Sequence, residues 1–226
     1  VLFDRATREA LILCSQPGSA VGPKGVLRKE LAAKIGWLIR IERVSPLISK
    51  TVRDIRRYVA EQSEERKSLL NRFGHSIYRA PLPGKAWGRL TALGSYREVG
   101  RACHLLTTNE SKVLIDVGVN IASDTEPMPY FNAPEVLPLD SVDAVVLTHA
   151  HLDHAGMLPV LFKYGYDGPV FATPPTRDLA ALLQTDYIKV SGYEGKAPPY
   201  SMEHVRKAVL NTVSVNWNST TDVAPD

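Results

Sequence analysis

Four side chains able to ligate a metal or move a proton fall within six residues: His149, His151, Asp153 and His154, in the stretch Ser141–Leu158, SVDAVVLTHAHLDHAGML. Neutral imidazoles with a carboxylate are the mixed nitrogen and oxygen set that zinc selects, three or four donors per ion. Alternation along an extended loop lets His149 and His151 point the same way, while Asp153 and His154 can turn toward a second ion. The competing structural reading is a histidine-rich helix start with Asp153 as its N-cap. The surroundings favour the metal reading: Val142 and Ala144–Leu147 form a short apolar run suited to a strand buried on both faces, ending at Thr148, and Leu152 and Leu158 lead into an apolar helix. Chemistry sits past the carboxyl ends of such strands.

The bulk properties are compatible with one large or two ordinary domains in 226 residues. The longest apolar runs are strand-sized, and Val1-Leu2-Phe3-Asp4-Arg5 does not read as a signal peptide, so no membrane association is expected. Cys14 and Cys103 lie far apart in no CxxC pattern, which reads as reduced, buried thiols in a cytoplasmic protein. Residues 1–80 carry 16 Lys and Arg against 8 Asp and Glu, and residues 81–226 carry 11 against 16. A basic half joined to an acidic, histidine-bearing half implies a polyanion-gripping module beside a metal-dependent one, although basic helices are also commonly solvated faces.

In chain order, the pattern predicts a strand over Ala10–Cys14, a helical turn over Pro17–Val21, a loop Gly22-Pro23-Lys24-Gly25, a helix over Val26–Ile35 and a strand over Leu38–Arg43. A single long helix is expected over Ser49–Phe73. Ser49 is its N-cap, Val52, Ile55, Val59, Leu69, Leu70 and Phe73 form its apolar stripe, and Arg53, Arg56, Arg57, Arg66 and Lys67 lie on the rest. Ala80-Pro81-Leu82-Pro83-Gly84 reads as a connector. Strands are then expected at Arg89–Leu93, Ala102–Thr108, Lys112–Ile115, Pro169–Ala172 and Val213–Trp217. Helices are expected at His154–Tyr166, from Pro174 to about Lys189 after a Thr173 cap, and at Ser201–Asn211. His75, His104 and His204 stand alone and read as surface or packing residues.

Two resemblances follow from these segments. The strand, helix, GxxG, helix, strand order resembles a KH domain, whose GxxG loop clamps the backbone of single-stranded RNA. That resemblance makes Gly22, Lys24, Gly25 and Arg28 the RNA-binding candidates. Pro23 departs from the ideal loop by removing a backbone donor. HxHxDH after an apolar strand resembles the metallo-β-lactamase superfamily. Leu93–Cys103, LGSYREVGRAC, ahead of two strands and Asp116-Val117-Gly118, narrows this to the β-CASP branch, in particular the archaeal ribonucleases similar to the cleavage and polyadenylation specificity factor.

The resemblance implies an α/β and α+β chain: a KH domain with a long carboxyl-terminal helix over 1–80, a linker over 81–87, and over 88–226 the first part of a metallo-β-lactamase αββα sandwich. It implies zinc-dependent hydrolysis of RNA, as endonuclease or 5′–3′ exonuclease, in 3′-end formation and transcription termination. His149 and His151 would serve one zinc ion, and Asp153 and His154 a second. Asp153 would also hold the attacking water, and Asp116 would orient the metal loop. Further metal ligands in that family follow the stretch matched here, which implies an amino-terminal fragment that is inactive alone. RNA, the transcription machinery and, for the longer protein, a second copy are the implied partners. Two rivals remain: a small-molecule metallo-hydrolase, which leaves the basic half and the EVGR segment unexplained, and a non-catalytic RNA-binding protein with a decayed metal site.

Overall fold

The computed structural model describes all residues except Ile48, Pro81 and Asp226, so the Pro81 portion of the expected connector lies outside the described residues. Two compact units divide between Leu70 and Asn71. That division falls ahead of the expected 81–87 linker.

The first unit begins with a short strand that alternation over three residues was too brief to announce, β1 (Leu2–Asp4). It pairs antiparallel with β2 (Glu9–Cys14), which pairs in parallel with β3 (Leu38–Arg43), giving the order β1-β2-β3. Between β2 and β3 run α1 (Pro17–Val21), a 3-10 turn over Pro23–Gly25 and α2 (Val26–Ile35), closed by Gly36 in the left-handed conformation. The core of this unit is Ala10, Leu11, Ile39 and Val59.

The single long helix expected over 49–73 is two helices, α3 (Lys50–Glu61) and α4 (Ser63–Ile77), broken at Gln62. The break falls in the polar tract Glu61–Glu65, where no apolar stripe ties successive turns to the core. Ser49 caps α3 as expected, its Oγ accepting the Val52 N–H at 3.3 Å. Arg66, expected on the solvated face, is instead buried beside Asp4 at 3.5 Å.

The second unit is built on β4 (Gly88–Ala92), β5 (His104–Thr108), β6 (Lys112–Ile115), β7 (Ala144–Val146), β8 (Val170–Ala172) and β9 (Thr212–Ser214), hydrogen-bonded in that order. β4, β5 and β6 are antiparallel neighbours, whereas β6 to β9 are parallel. β7 and β8 are short and almost wholly buried, as parallel strands covered on both faces must be. The helix expected over 154–166 is divided into α5 (Leu152–Ala155) and α6 (Leu158–Lys163), and α7 (Pro174–Tyr193) and α8 (Met202–Leu210) follow β8. α6 and α7 both pack on α8, and α5 packs on α7. No described helix is long and apolar enough to cross a membrane. Parallel order brings the residues following β6, β7 and β8 to one end of the sheet.

Candidate metal centre

β6 ends at Ile115 and β7 at Val146, and the segments that follow, Asp116–Asn120 and Leu147–His154, lie against each other. The backbone makes the join. Val119 N–H donates to the Leu152 carbonyl at 2.9 Å, Ala102 N–H to Asp153 at 2.9 Å and Val117 N–H to His154 at 2.7 Å. Gly118 makes this approach possible: a Cβ there would stand 1.7 Å from the Asp153 carbonyl oxygen. The sequence offered Gly118 only as the end of a strand.

Asp116 is buried and sits in the left-handed region at φ 62, a conformation that aspartate tolerates better than most residues. Its Oδ1 accepts the Thr148 N–H at 2.8 Å; its Oδ2 accepts the Thr148 hydroxyl and faces His154 Nδ1, each at 2.8 Å. A carboxylate can only accept, so His154 carries its proton on Nδ1 and presents the Nε2 lone pair. With its one hydroxyl proton given to Asp116, Thr148 Oγ1 can only accept from His149 Nδ1, 3.0 Å away, which leaves His149 Nε2 as a second lone pair. One carboxylate thus fixes the tautomers of two imidazoles, and Thr148 is the relay that sequence reading missed.

Donor atoms of His149, His151 and Asp153 all lie within 4.8 Å of one another. His149 Nε2 and His151 Nδ1 are 3.1 Å apart. Ligands at about 2.1 Å from a tetrahedral zinc stand about 3.4 Å from each other, so the His149–His151 pair is spaced for that ion, with Asp153 in reach. His154 lies beside it, its ring 4.0 Å from that of His149 and its Nε2 3.6 Å from Asp153 Oδ2. The structure therefore groups His149, His151 and Asp153, and ties His154 to Asp116.

Cys103 is a buried free thiol whose pKa is pushed up by burial and by the charge of Asp116, so it stays protonated. Cys14, expected to be buried, is half-buried. His204 closes the amino end of α8, its Nδ1 accepting the Ser201 N–H at 3.1 Å. In the first unit, Gly22, Lys24 and Gly25 all have positive φ, and Arg28 is exposed on α2. The Gly25 N–H is spent on the Gly22 carbonyl at 3.0 Å and that of Val26 on Pro23.

The EVGR segment has a structural account. Glu98 accepts from Arg101 Nε and, at 3.3 Å each, from Ser95 N–H and Asn120 Nδ2. The Arg101 hydrogen bond, with the smaller help of Ser95 and Asn120, holds the Glu98 carboxyl below its ordinary 4.5. A lowered folded-state value means that this stabilisation is complete above the ordinary value and is lost as pH falls through the lowered one. Amide protection over residues 95–103, measured against the intrinsic exchange rate at each pH, is expected to hold at pH 4.5 and to fall only in stronger acid.

Residues 96–169 match the family model described as Metallo-beta-lactamase superfamily. The curated relatives include "Transcription termination factor FttA" of Methanosarcina mazei, 47% identical over 99% of this chain and 35% of its own length. The proteins of that name from Methanothermobacter thermautotrophicus and a Lokiarchaeum sp. are 45% and 40% identical, each over 100% of this chain and 36% and 35% of their own lengths. The chain spans about a third of the length of these relatives. With its sheet order, the second unit has a metallo-β-lactamase-like α/β fold.

Proposed function

We propose that this chain is a portion of a metal-dependent ribonuclease of the β-CASP type acting in transcription termination, with zinc as its metal. The observation that carries the reading is the convergence of His149, His151 and Asp153, with His149 oriented through Thr148 and Asp116. A decayed site would have no need of that orienting network. The relatives, named as termination factors, supply RNA and the transcription machinery as partners; a second copy belongs to the reading of the longer protein.

When bound, a zinc pair supplies Lewis acidity that polarises a phosphoryl oxygen and acidifies water. His149 and His151 would hold one ion, and Asp153, although grouped with them, would with His154 hold the other. Asp153 would also orient the attacking water, and Asp116 would keep His149 and His154 in the tautomers that leave Nε2 free. Among the described residues one group of three donors assembles, with His154 beside it, short of the three or four donors that each of two ions requires. The first unit, read as a KH domain, grips single-stranded RNA. Because the turn consumes its own amides, the grip falls to Lys24, Arg28 and the start of α2, with Gly22 and Gly25 shaping the loop.

Labelled single-stranded RNA incubated with zinc is expected to be bound but left whole by the 226 residues, and to be cut by the longer protein in a manner lost on His151→Ala or Asp153→Ala. Gly25→Asp combined with Lys24→Gln should weaken binding and lower its salt slope by about 1. Gly22 is left alone, because a Cβ there would meet Leu27 Cγ at 2.6 Å. Cutting by the longer protein that survives both metal-loop changes would refute the reading.

A further inference from the structure

The turn between β4 and β5 holds Ser95, Arg97 and Arg101 at φ 68, 59 and 41, together with Gly100 at φ 121. Three non-glycine residues of positive φ within seven is an unfavourable arrangement that persists only where neighbours impose it. Glu98 imposes it from inside, through Ser95, Arg101 and Asn120. The result is to turn Tyr96 and Val99 outward, 67% and 87% exposed, with Arg97 exposed between them.

This turn stands at the end of the sheet that carries the candidate metal loop. Ala102 donates to the Asp153 carbonyl and receives the Gly118 N–H, both at 2.9 Å, and His104 pairs with Ile115, the residue before Asp116. Charge adds an independent argument. The half of the chain that carries the metal loop is acidic, so a polyanionic substrate needs an uncompensated cation beside that loop. Arg101 is committed to Glu98 and Glu126, whereas Arg97 makes no ion pair among the described residues.

We propose that Tyr96 and Arg97 form the substrate rim of the metal centre, Tyr96 stacking on an unpaired base of single-stranded RNA and Arg97 holding the neighbouring phosphate. The inference rests on the ribonuclease reading and adds to it a selection for unpaired strands, since a base within a duplex offers no free face to the ring.

The test uses the Gly25→Asp, Lys24→Gln protein with zinc, which reduces the contribution of the first unit, and a fluorescein-labelled single-stranded oligoribonucleotide followed by anisotropy. Tyr96→Ala is expected to weaken binding about tenfold and Tyr96→Phe to restore it. Arg97→Gln should weaken it comparably and reduce the salt slope by about 1. Zinc uptake and the thermal midpoint should not change in any of the three. Photo-crosslinking of the same RNA to the unsubstituted chain should recover Tyr96 in a crosslinked peptide. Unchanged binding in both Tyr96→Ala and Arg97→Gln, or crosslinks that leave out residues 95–99, overturns the rim while the ribonuclease reading stands. A chain that binds no RNA before any substitution overturns both.

Discussion

Asp116→Asn is expected to leave the protein folded and to weaken zinc binding by about 10–100-fold, the range found when a group orienting metal ligands is removed. Asparagine keeps the shape, tolerates the left-handed backbone and can still offer Oδ1 to the Thr148 N–H. The amide nitrogen then occupies the place of Oδ2, where it faces the donors of Thr148 and His154. Relief requires His154 to accept on Nδ1, which puts its proton on Nε2, and Thr148 to turn its hydroxyl proton elsewhere, which releases His149 as well. His154 then presents N–H where a lone pair is needed, and His149 is no longer held in the tautomer that offers one. Asp116→Ala should have the same effect on metal and, by leaving the Thr148 N–H without its acceptor, cost a further ~1–3 kcal/mol of stability. Competition against a chromophoric chelator reads the affinity and urea unfolding reads the stability. Zinc binding by the asparagine variant equal to that of the parent would show that the carboxylate does not set the tautomers.

The second large effect is on folding. Gly118→Ala places a methyl group 1.7 Å from the Asp153 carbonyl oxygen, 2.3 Å from its carbon and 2.7 Å from the Ala102 nitrogen. All three are backbone atoms, so no side chain can swing aside. The two segments must part, with loss of the Ala102–Asp153 and Val117–His154 hydrogen bonds. A cost of at least ~4 kcal/mol is expected, at the rare end for single substitutions. Gly25→Ala is the comparison: among the described residues nothing beyond its chain neighbours lies within 4 Å, and its φ of 76 alone should cost ~1–2 kcal/mol. Urea midpoints for the two variants give the contrast, and equal losses would remove the close approach from the account.

Reading the sequence located the candidate metal loop because its information is local: donor types, donor spacing and the apolar run before them occupy one short segment. α2 and β3 coincide with the expected Val26–Ile35 and Leu38–Arg43 for a similar reason, since glycines mark the ends of the helix. What was not legible depends on partners far along the chain. Thr148 looks like a strand end until Asp116 is beside it, and Gly118 looks like the close of a strand until the Asp153 carbonyl faces it. Glu98 was part of a recognisable segment but had no assigned work, because two of its partners, Arg101 and Asn120, come together only through the positive-φ turn. Asp116 itself was reached by resemblance, not by pattern. The divided helices show a further limit. Glu61–Glu65 has good helix formers on both sides of Gln62, and the step from α5 to α6 lies at Gly156, where a Cβ would meet the Leu152 carbonyl at 2.5 Å. Propensity carries a helix through such places, and packing interrupts it.

The three carbonyls that anchor the metal loop, those of Leu152, Asp153 and His154, are held by amides from Val119, Ala102 and Val117, and none of these bonds draws on a ligating side-chain atom. Folding of the loop and uptake of the ion are therefore separable events. In zinc fingers the ion organises the chain, and the binding energy is spent as folding energy. Here the scaffold supplies the order beforehand, and little conformational entropy remains to be lost when the ion arrives. Affinity for metal at this site is accordingly a direct report on donor number and tautomer, undiluted by the energetics of the fold.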